Sequence, residues 1–271
     1  MEMTKRFFAL WSKPVVNSLG NLFDFLGGSV NLIYLTGRAL FQPPFYFKLL
    51  VEQCYSLGVK SSSLVMITAL STGMVMSLQF GYGLERFGGK LYVPKVVGLS
   101  IMRELGPVLT SLMIAGRVGS GIAAEIGSMK VTQQIDAIRA LGMDPVKRVV
   151  IPRVLALLLM TPILTILADL VGIFGGMFIS AIELNIHPDF YFHGALVSLR
   201  ATDFVVGVGK TFIFGFLIAV TGCYYGLKTT GGTQGVGQAT NHAVVTSSIL
   251  IVIFDFVLTK VFWLLERGVE L

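Results

Sequence analysis

The chain has 271 residues, 54% of them hydrophobic and only 13% charged, with a mean hydropathy of +0.78. Soluble domains carry about 25% charged residues; a soluble fold of this length could not hide so much apolar surface, whereas lipid accepts it. A net charge of +6 would suggest nucleic acid as the partner of a soluble protein. Here the Lys and Arg residues sit mainly between hydrophobic runs, so a membrane-topology signal is the better explanation and no nucleic-acid partner is expected.

The N-terminal MEMTKRFFALWSKPVV is basic and aromatic. It lacks a long apolar core followed by a small-residue cleavage site, so no signal peptide is expected. Residues 14–37 are apolar in part but are interrupted by Asn17, Asn21, Asp24 and Asn31. They read as helices lying in the membrane interface, with a sixth span as the alternative. Residues 1–50 are thus expected to form N-terminal interfacial (elbow) helices and 51–271 a transmembrane domain.

A spanning helix needs about 20 apolar residues. Five runs supply them: Ser61 to Leu84, Val96 to Gly116, residues 154–182, Phe204 to Leu227 and Val244 to Leu265. The predicted fold class is an all-α polytopic membrane protein with about five transmembrane helices. Segments 1–61, 117–153 and 226–242 hold thirteen Lys and Arg, against seven in 81–95, 183–210 and 260–271. By the positive-inside rule the N-terminus is cytoplasmic and the C-terminus lies outside. The small-xxx-small pairs Gly172/Gly176, Gly222/Gly226, Ala115/Gly119 and Ala123/Gly127 allow close helix packing within or between subunits. Cys54 and Cys223 lie in separate segments and read as small buried hydrophobes. His187, His193 and His242 show no ligand spacing, so no metal site is expected.

The most informative segment is GRVGSGIAAEIGSMKVTQQIDAIRALGMDPVKRVVIPRV, residues 116–154. Val131, Ile135, Ile138 and Gly142 fall on one face at helical spacing, which predicts a short amphipathic cytoplasmic helix over about 128–142. Gly142 suits a C-cap, and Asp144-Pro145 prevents continuation. Such a helix is either a connector at the headgroups or a coupling helix that docks by its apolar face into a soluble partner.

The run AGRVGSGIAAEIGSMKVTQQIDAIRALGMDPVKRVVIPRVLA resembles the signature of the MlaE/YrbE permease family. Residues 50–80, 99–117 and 247–259 resemble that family too, and about residues 40–260 match in order. The resemblance implies a permease domain over 51–271, in a homodimer in the bacterial inner membrane. It implies an ABC ATPase subunit that carries ATP and Mg, an Mce-domain protein on the outer, periplasmic side, and a small STAS-like cytoplasmic subunit. The implied function is movement of phospholipid between the inner membrane and the outer envelope, with no catalytic residues and no cofactor on this chain. It also implies that the coupling segment meets the ATPase through Glu125, Ser128, Met129, Lys130, Val131, Gln133, Gln134, Ile135, Asp136, Ile138 and Arg139. Gly209-Lys210-Thr211 imitates the end of a P-loop, but Phe204 stands where the earlier glycine is required, so ATP is hydrolysed elsewhere.

Charges inside the bilayer cost about 2.5–3.5 kcal/mol each on insertion scales, so they face the bundle interior and seek partners. Arg103 and Glu104 precede Gly106-Pro107, where the proline removes a helical hydrogen bond and opens the helix. The pair suits a zwitterionic or anionic headgroup, because Arg holds phosphate bidentately; the alternative is an ion pair that locks two helices. Gln79 and Tyr82 are expected at similar depth, with Met74, Val75, Met76 and Leu78 as walls of an acyl-chain pocket or as ordinary core. Lys210 and Asp255 are expected to pair, or to join Arg103 and Glu104 in one network. Asp169 reads as a hydrogen-bonded helix contact.

Two other functions compete. An ATPase-independent secondary transporter would show inverted repeats and broken helices. A lipid-modifying enzyme would need a clustered acid–base set, for which His187, His193 and Asp189 are the only candidates. A scaffold that anchors partners without moving lipid is a third possibility.

Overall fold

The computed structural model describes residue 20 and residues 23–40, 42–43 and 46–269, the side chains of 267–269 excepted. Most of the N-terminal region expected to lie in the interface therefore falls outside the described residues. The chain is all-α. In order, α1 covers 23–40, α2 Phe47–Glu85, α3 Lys90–Val131, α4 Gln134–Ala140, α5 Val146–Glu183, α6 Pro188–Ser198, α7 Ala201–Leu227 and α8 Gly232–Val269. Five of these, α2, α3, α5, α7 and α8, are long and apolar enough to cross a membrane. The protein is a multi-pass membrane protein.

Each spanning helix runs past its apolar run. α2 begins at Phe47 rather than Ser61, and α3 continues to Val131 rather than ending near Gly116. The physical reason is that hydropathy marks only the lipid-embedded part. A helix already nucleated continues into polar sequence, because each added residue gains a hydrogen bond without a new nucleation cost. Four π turns interrupt the ladders: Cys54–Gly58 in α2, Ile101–Leu105 and Ala115–Gly119 in α3, and Val146–Val150 at the start of α5.

The small-residue pairs serve packing inside the chain. α2 lies so close to α5 that a Cβ on Gly73 would sit on the Gly172 carbonyl oxygen. α7 lies on α3 in the same way: a Cβ on Gly222 would be 3.0 Å from the Gly119 carbonyl, and one on Gly226 2.7 Å from Ile126 Cβ. Backbones in lipid approach through such residues because packing contacts, not hydrophobic exclusion, drive association there. One buried core joins α1, α3, α5 and α7 through Phe25, Ile122, Leu157 and Ile218. A second caps the opposite end, where α6 folds over α3 and α5 and buries Tyr191 and Ala195 against Val97 and Ile173.

α1 is amphipathic in an inverted sense. Phe25, Ser29, Leu32, Thr36 and Ala39 are buried at spacings of four and three, whereas Phe23, Leu26, Val30 and Tyr34 point outward. An exposed apolar face of this kind suits lipid contact.

The amphipathic helix expected over 128–142 is in fact broken. Ser128–Val131 end α3, Gln133 takes a left-handed conformation (φ 60°), and α4 starts at Gln134. Val131 is therefore exposed on a different helix from Ile135, which is buried, and Ile138, which packs on the core. The spacing argument assumed one continuous helix; the left-handed residue resets the phase. Gly142, also left-handed (φ 74°), closes α4, with the Met143 N–H donating to the Ile138 carbonyl at 3.1 Å. Asp144 Oδ1 accepts from the Val146 N–H at 2.9 Å and leads into α5.

Candidate functional site: a charged cleft between α3, α7 and α8

The site is built around a bulge. Pro107 has no N–H, so it cannot satisfy the carbonyl four residues earlier, that of Arg103. The turn Ile101–Leu105 widens to a π-helix, and the Gly106 N–H donates to the Ile101 carbonyl. Such single-turn π bulges gather at functional positions because they re-aim side chains and free backbone groups. α7 closes on this bulge at Gly207, whose Cβ would collide with the Met102 carbonyl. One turn further along α7, Lys210 reaches into the gap.

Lys210 is fully buried (0% exposed). Its Nζ donates to Glu104 Oε2 at 2.6 Å, Thr259 Oγ1 at 2.7 Å and Asp255 Oδ1 at 3.0 Å. The freed Arg103 carbonyl lies 3.3 Å away. A buried ammonium is tolerable when its partners are close and every proton is used, and this one is bound from two other helices, α3 and α8. Arg103 and Glu104 thus turn to different partners instead of pairing with each other. The Arg103 guanidinium meets Asp203 at 3.3 Å and Glu266 at 2.9 Å. In this group two cations, Lys210 and Arg103, face four carboxylates, Glu104, Asp255, Asp203 and Glu266, a formal balance of −2.

The cluster is not sealed. Arg103 and Glu104 line a cavity of about 350 Å³ with apolar walls from Leu99, Val206, Phe262 and Trp263. A second cavity of about 370 Å³ adjoins it across Val206 and Phe262 and reaches Glu266. The arrangement places hydrogen-bonding charge at one side of an apolar cleft, a form suited to an amphiphile. Asp203 also accepts from the Arg200 N–H at 2.8 Å, which anchors the start of α7.

The other expected lipid contacts are elsewhere. Met74, Val75, Met76, Leu78, Gln79 and Tyr82 lie on α2, which packs on α5, and none of them lines either cavity. Val75, Gln79 and Tyr82 face outward, and Met76 packs on the second core. Similar depth in the sequence pattern did not place them on one wall, because α2 is separated from the cleft by α3 and α5.

Asp169 departs from its expected role. It is buried (2% exposed) on α5, and neither carboxyl oxygen has a hydrogen-bond partner among the described residues. It presses instead on Gly106, whose Cβ would collide with Asp169 Oδ1. His187 is at the N-terminal boundary of α6 and contacts exposed Asp189 at 3.4 Å, and His193 lies within α6 rather than in a loop. No group of three metal-ligating side chains occurs among the described residues.

At the other end of the bundle, Glu125 meets buried Arg153 at 2.7 Å, joining α3 to α5. Lys130 contacts Asp136 at 3.2 Å across the α3–α4 break, and Arg139 contacts the same carboxylate at 3.6 Å within α4. Ser128, Gln133 and Gln134 complete this polar rim, while Met129 packs on the core. The spacing pattern did not anticipate Arg153, Asp203, Thr259 or Glu266. Arg103 and Glu266 are 163 positions apart, and no local pattern connects them.

The fold and cleft define a polytopic α-helical membrane protein with a partnered charge cluster between three of its spans. The chain belongs to the MlaE permease family: the family described as Permease MlaE matches residues 50–261. It is 38% identical over 253 residues to a probable ABC transporter permease protein of Rickettsia bellii, covering 92% of this chain and 98% of the relative. It is 40% identical over 260 residues to a probable ABC transporter permease protein of Synechocystis, covering 96% and 94%. It is 35% identical over 256 residues to the chloroplastic protein TRIGALACTOSYLDIACYLGLYCEROL 1 of Arabidopsis thaliana, covering 94% and 71%. The chain is a membrane permease subunit.

Proposed function

We propose that this permease subunit moves phospholipids between a bacterial inner membrane and the outer envelope, driven by a separate ABC ATPase subunit that carries ATP and Mg. The observation that carries the reading is the cleft itself: Arg103 and Glu104 stand on an apolar-walled cavity with Lys210 and Asp255 fixed behind them. Arg103 is the phosphate partner, since its guanidinium is about a third exposed and its present partners are side-chain carboxylates. The surplus carboxylates suit an amine-bearing headgroup. Phe262, Trp263 and Val206 take the acyl chains.

The rest of the assembly follows the family. The chain works as a homodimer with its N-terminus cytoplasmic and its C-terminus periplasmic. An Mce-domain protein sits on the periplasmic side and a small STAS-like subunit on the cytoplasmic side. The α3 end, α4 and the turn between them dock the ATPase, with Glu125, Ser128, Lys130, Gln133, Asp136 and Arg139 presented around the buried Ile135 and Ile138. In the homodimer, Met74, Val75, Leu78, Gln79 and Tyr82 of α2 extend the acyl path.

The test is lipid transfer by the complex reconstituted in vesicles. Arg103→Gln is expected to lower phospholipid transfer at least about ten-fold, the loss of one charge-assisted contact, while leaving ATPase association intact. Transfer at the unaltered rate would sink the headgroup assignment. Deleting Val131–Ala140 should abolish co-purification with the ATPase without preventing membrane insertion; retained co-purification would show that the docking surface lies elsewhere.

A further inference from the structure

A second polar cavity lies at the end of the bundle that carries α4. It has a volume of about 270 Å³ and sits between α1, the end of α7 and the first turns of α8. Tyr224 and Lys210 are both on α7, fourteen residues or about 21 Å apart along the axis, so this cavity is separate from the charged cleft.

Its walls are unusual for a membrane-embedded bundle. On one side is an aromatic cluster: Phe25 and Tyr225 stack at 5.6 Å, Tyr225 and His242 at 5.6 Å, and Phe25 meets Tyr224 edge-on at 5.3 Å. On the other side are hydrogen-bond donors: Lys228, Thr230 and Gln238. The Thr230 and Gln238 side chains are exposed, with no hydrogen bond among the described residues. Gly235, near the start of α8, completes the wall.

Lys228 is held in place for this cavity. Its Nζ donates to the Tyr224 hydroxyl at 3.1 Å, and that hydroxyl in turn donates to the Asp24 carbonyl at 3.0 Å. The ammonium lies 5.5 Å from the Tyr224 ring centre. The Tyr224 hydroxyl raises the Lys228 pKa above its ordinary value, which keeps the cation charged. The carboxylate nearest to it is Asp24, at a loose 3.8 Å with both side chains well exposed. No carboxylate lines the cavity among the described residues.

Thr230 and Gln238 without acceptors, beside a lysine whose one carboxylate is loose, call for an anion, and the surroundings say which kind. Phe23, Leu26 and Val30 of α1 turn outward beside the cavity, where a soluble anion would gain nothing from them and acyl chains would. We propose that this cavity holds the phosphate of an anionic membrane phospholipid, with Lys228 and Gln238 on the phosphate oxygens and the exposed face of α1 under the acyl chains. It is a resident lipid site at the α4 end of the bundle, independent of the transported lipid. It fastens α1 to the α7–α8 turn.

Photocrosslinking of the full-length protein in nanodiscs tests this. A phosphatidylglycerol probe with a photoreactive group next to the headgroup is expected to label peptides from the 224–242 region. The same probe built on phosphatidylcholine should label them several-fold less, because its choline cation cancels the charge of the phosphate. Lys228→Gln should lower the phosphatidylglycerol labelling to the phosphatidylcholine level. Gln238→Ala, which removes an unbonded exposed side chain and so leaves the fold intact, should lower it several-fold. Equal labelling by the two lipids, or labelling unchanged in both variants, overturns the proposal. Loss of labelling on adding inorganic phosphate at moderate concentration assigns the donors to a soluble phosphate and overturns the lipid reading. An Arg103→Gln background should leave the labelling unaltered; its disappearance there would mean that the probe reports the charged cleft.

Discussion

Two buried ionisable residues face each other across the α3 bulge and are treated in opposite ways. Lys210, on the α7 side, is fully enclosed yet bound by Glu104, Asp255 and Thr259 within 3.0 Å. Asp169, on the α5 side, is just as deeply buried, touches Gly106, and has no hydrogen bond among the described residues. The difference teaches that depth alone does not mark a charged site. A buried charge with several partners from separate helices couples those helices, whereas a buried acid with none acts on its neighbours through volume.

The comparison breaks most sharply at Lys210. Lys210→Ala leaves Glu104 and Asp255 facing each other without their cation, and removing one partner of a buried pair costs about 3–5 kcal/mol. Denaturation in mixed micelles should register this as a large loss. Restoring neutrality with Lys210→Met, Glu104→Gln and Asp255→Asn together should recover most of it, because apolar or neutral replacement of a whole buried cluster is often close to neutral.

On the Asp169 side the largest effect should come from its neighbour. Gly106→Ala drives a Cβ into Asp169 Oδ1, an overpacking cost of about 1–3 kcal/mol. The double variant with Asp169→Ala should regain much of that loss, and additive effects in the cycle would mean that the two residues do not touch. Asp169→Asn removes the charge but keeps the shape. With no partner to lose, it should change unfolding free energy by less than about 1 kcal/mol; a loss as large as that of Lys210→Ala would reveal a partner for Asp169. The smallest stability effect belongs to Arg103→Gln: its pair with Glu266 is partly exposed and worth about 0–1 kcal/mol, and buried Asp203 keeps its bond from the Arg200 N–H. There the change should appear in lipid transfer and not in the melting curve.

Much of the architecture was legible before the fold. All five spans, the expensive charges within them and the opening of α3 before Pro107 follow from hydropathy and from the chemistry of proline. The α3–α4 segment was half legible. Gly142 could be recognised as a terminator, but the left-handed Gln133 could not, since glutamine carries no signal for that conformation. The cleft was legible in its ingredients and not in its wiring. Arg103 beside Glu104 suggested a pair, yet on a π turn neighbouring residues point apart, and their partners come from α7 and α8.

Sequence by itself determined that this chain enters lipid as helices, because its apolar runs of about 20 residues satisfy their backbone within one segment, whereas barrel strands are half as long and alternate. It also determined which charges would have to be buried, since they interrupt apolar runs. Only the tertiary structure decided that Lys210 closes the bulge while Asp169 merely fills space behind it, and that the α2 residues expected in the acyl pocket lie apart from it. The reason is that pairing in a bundle depends on how far two backbones can approach. That was set by a few glycines, such as Gly207 against Met102, whose partners are remote in the chain.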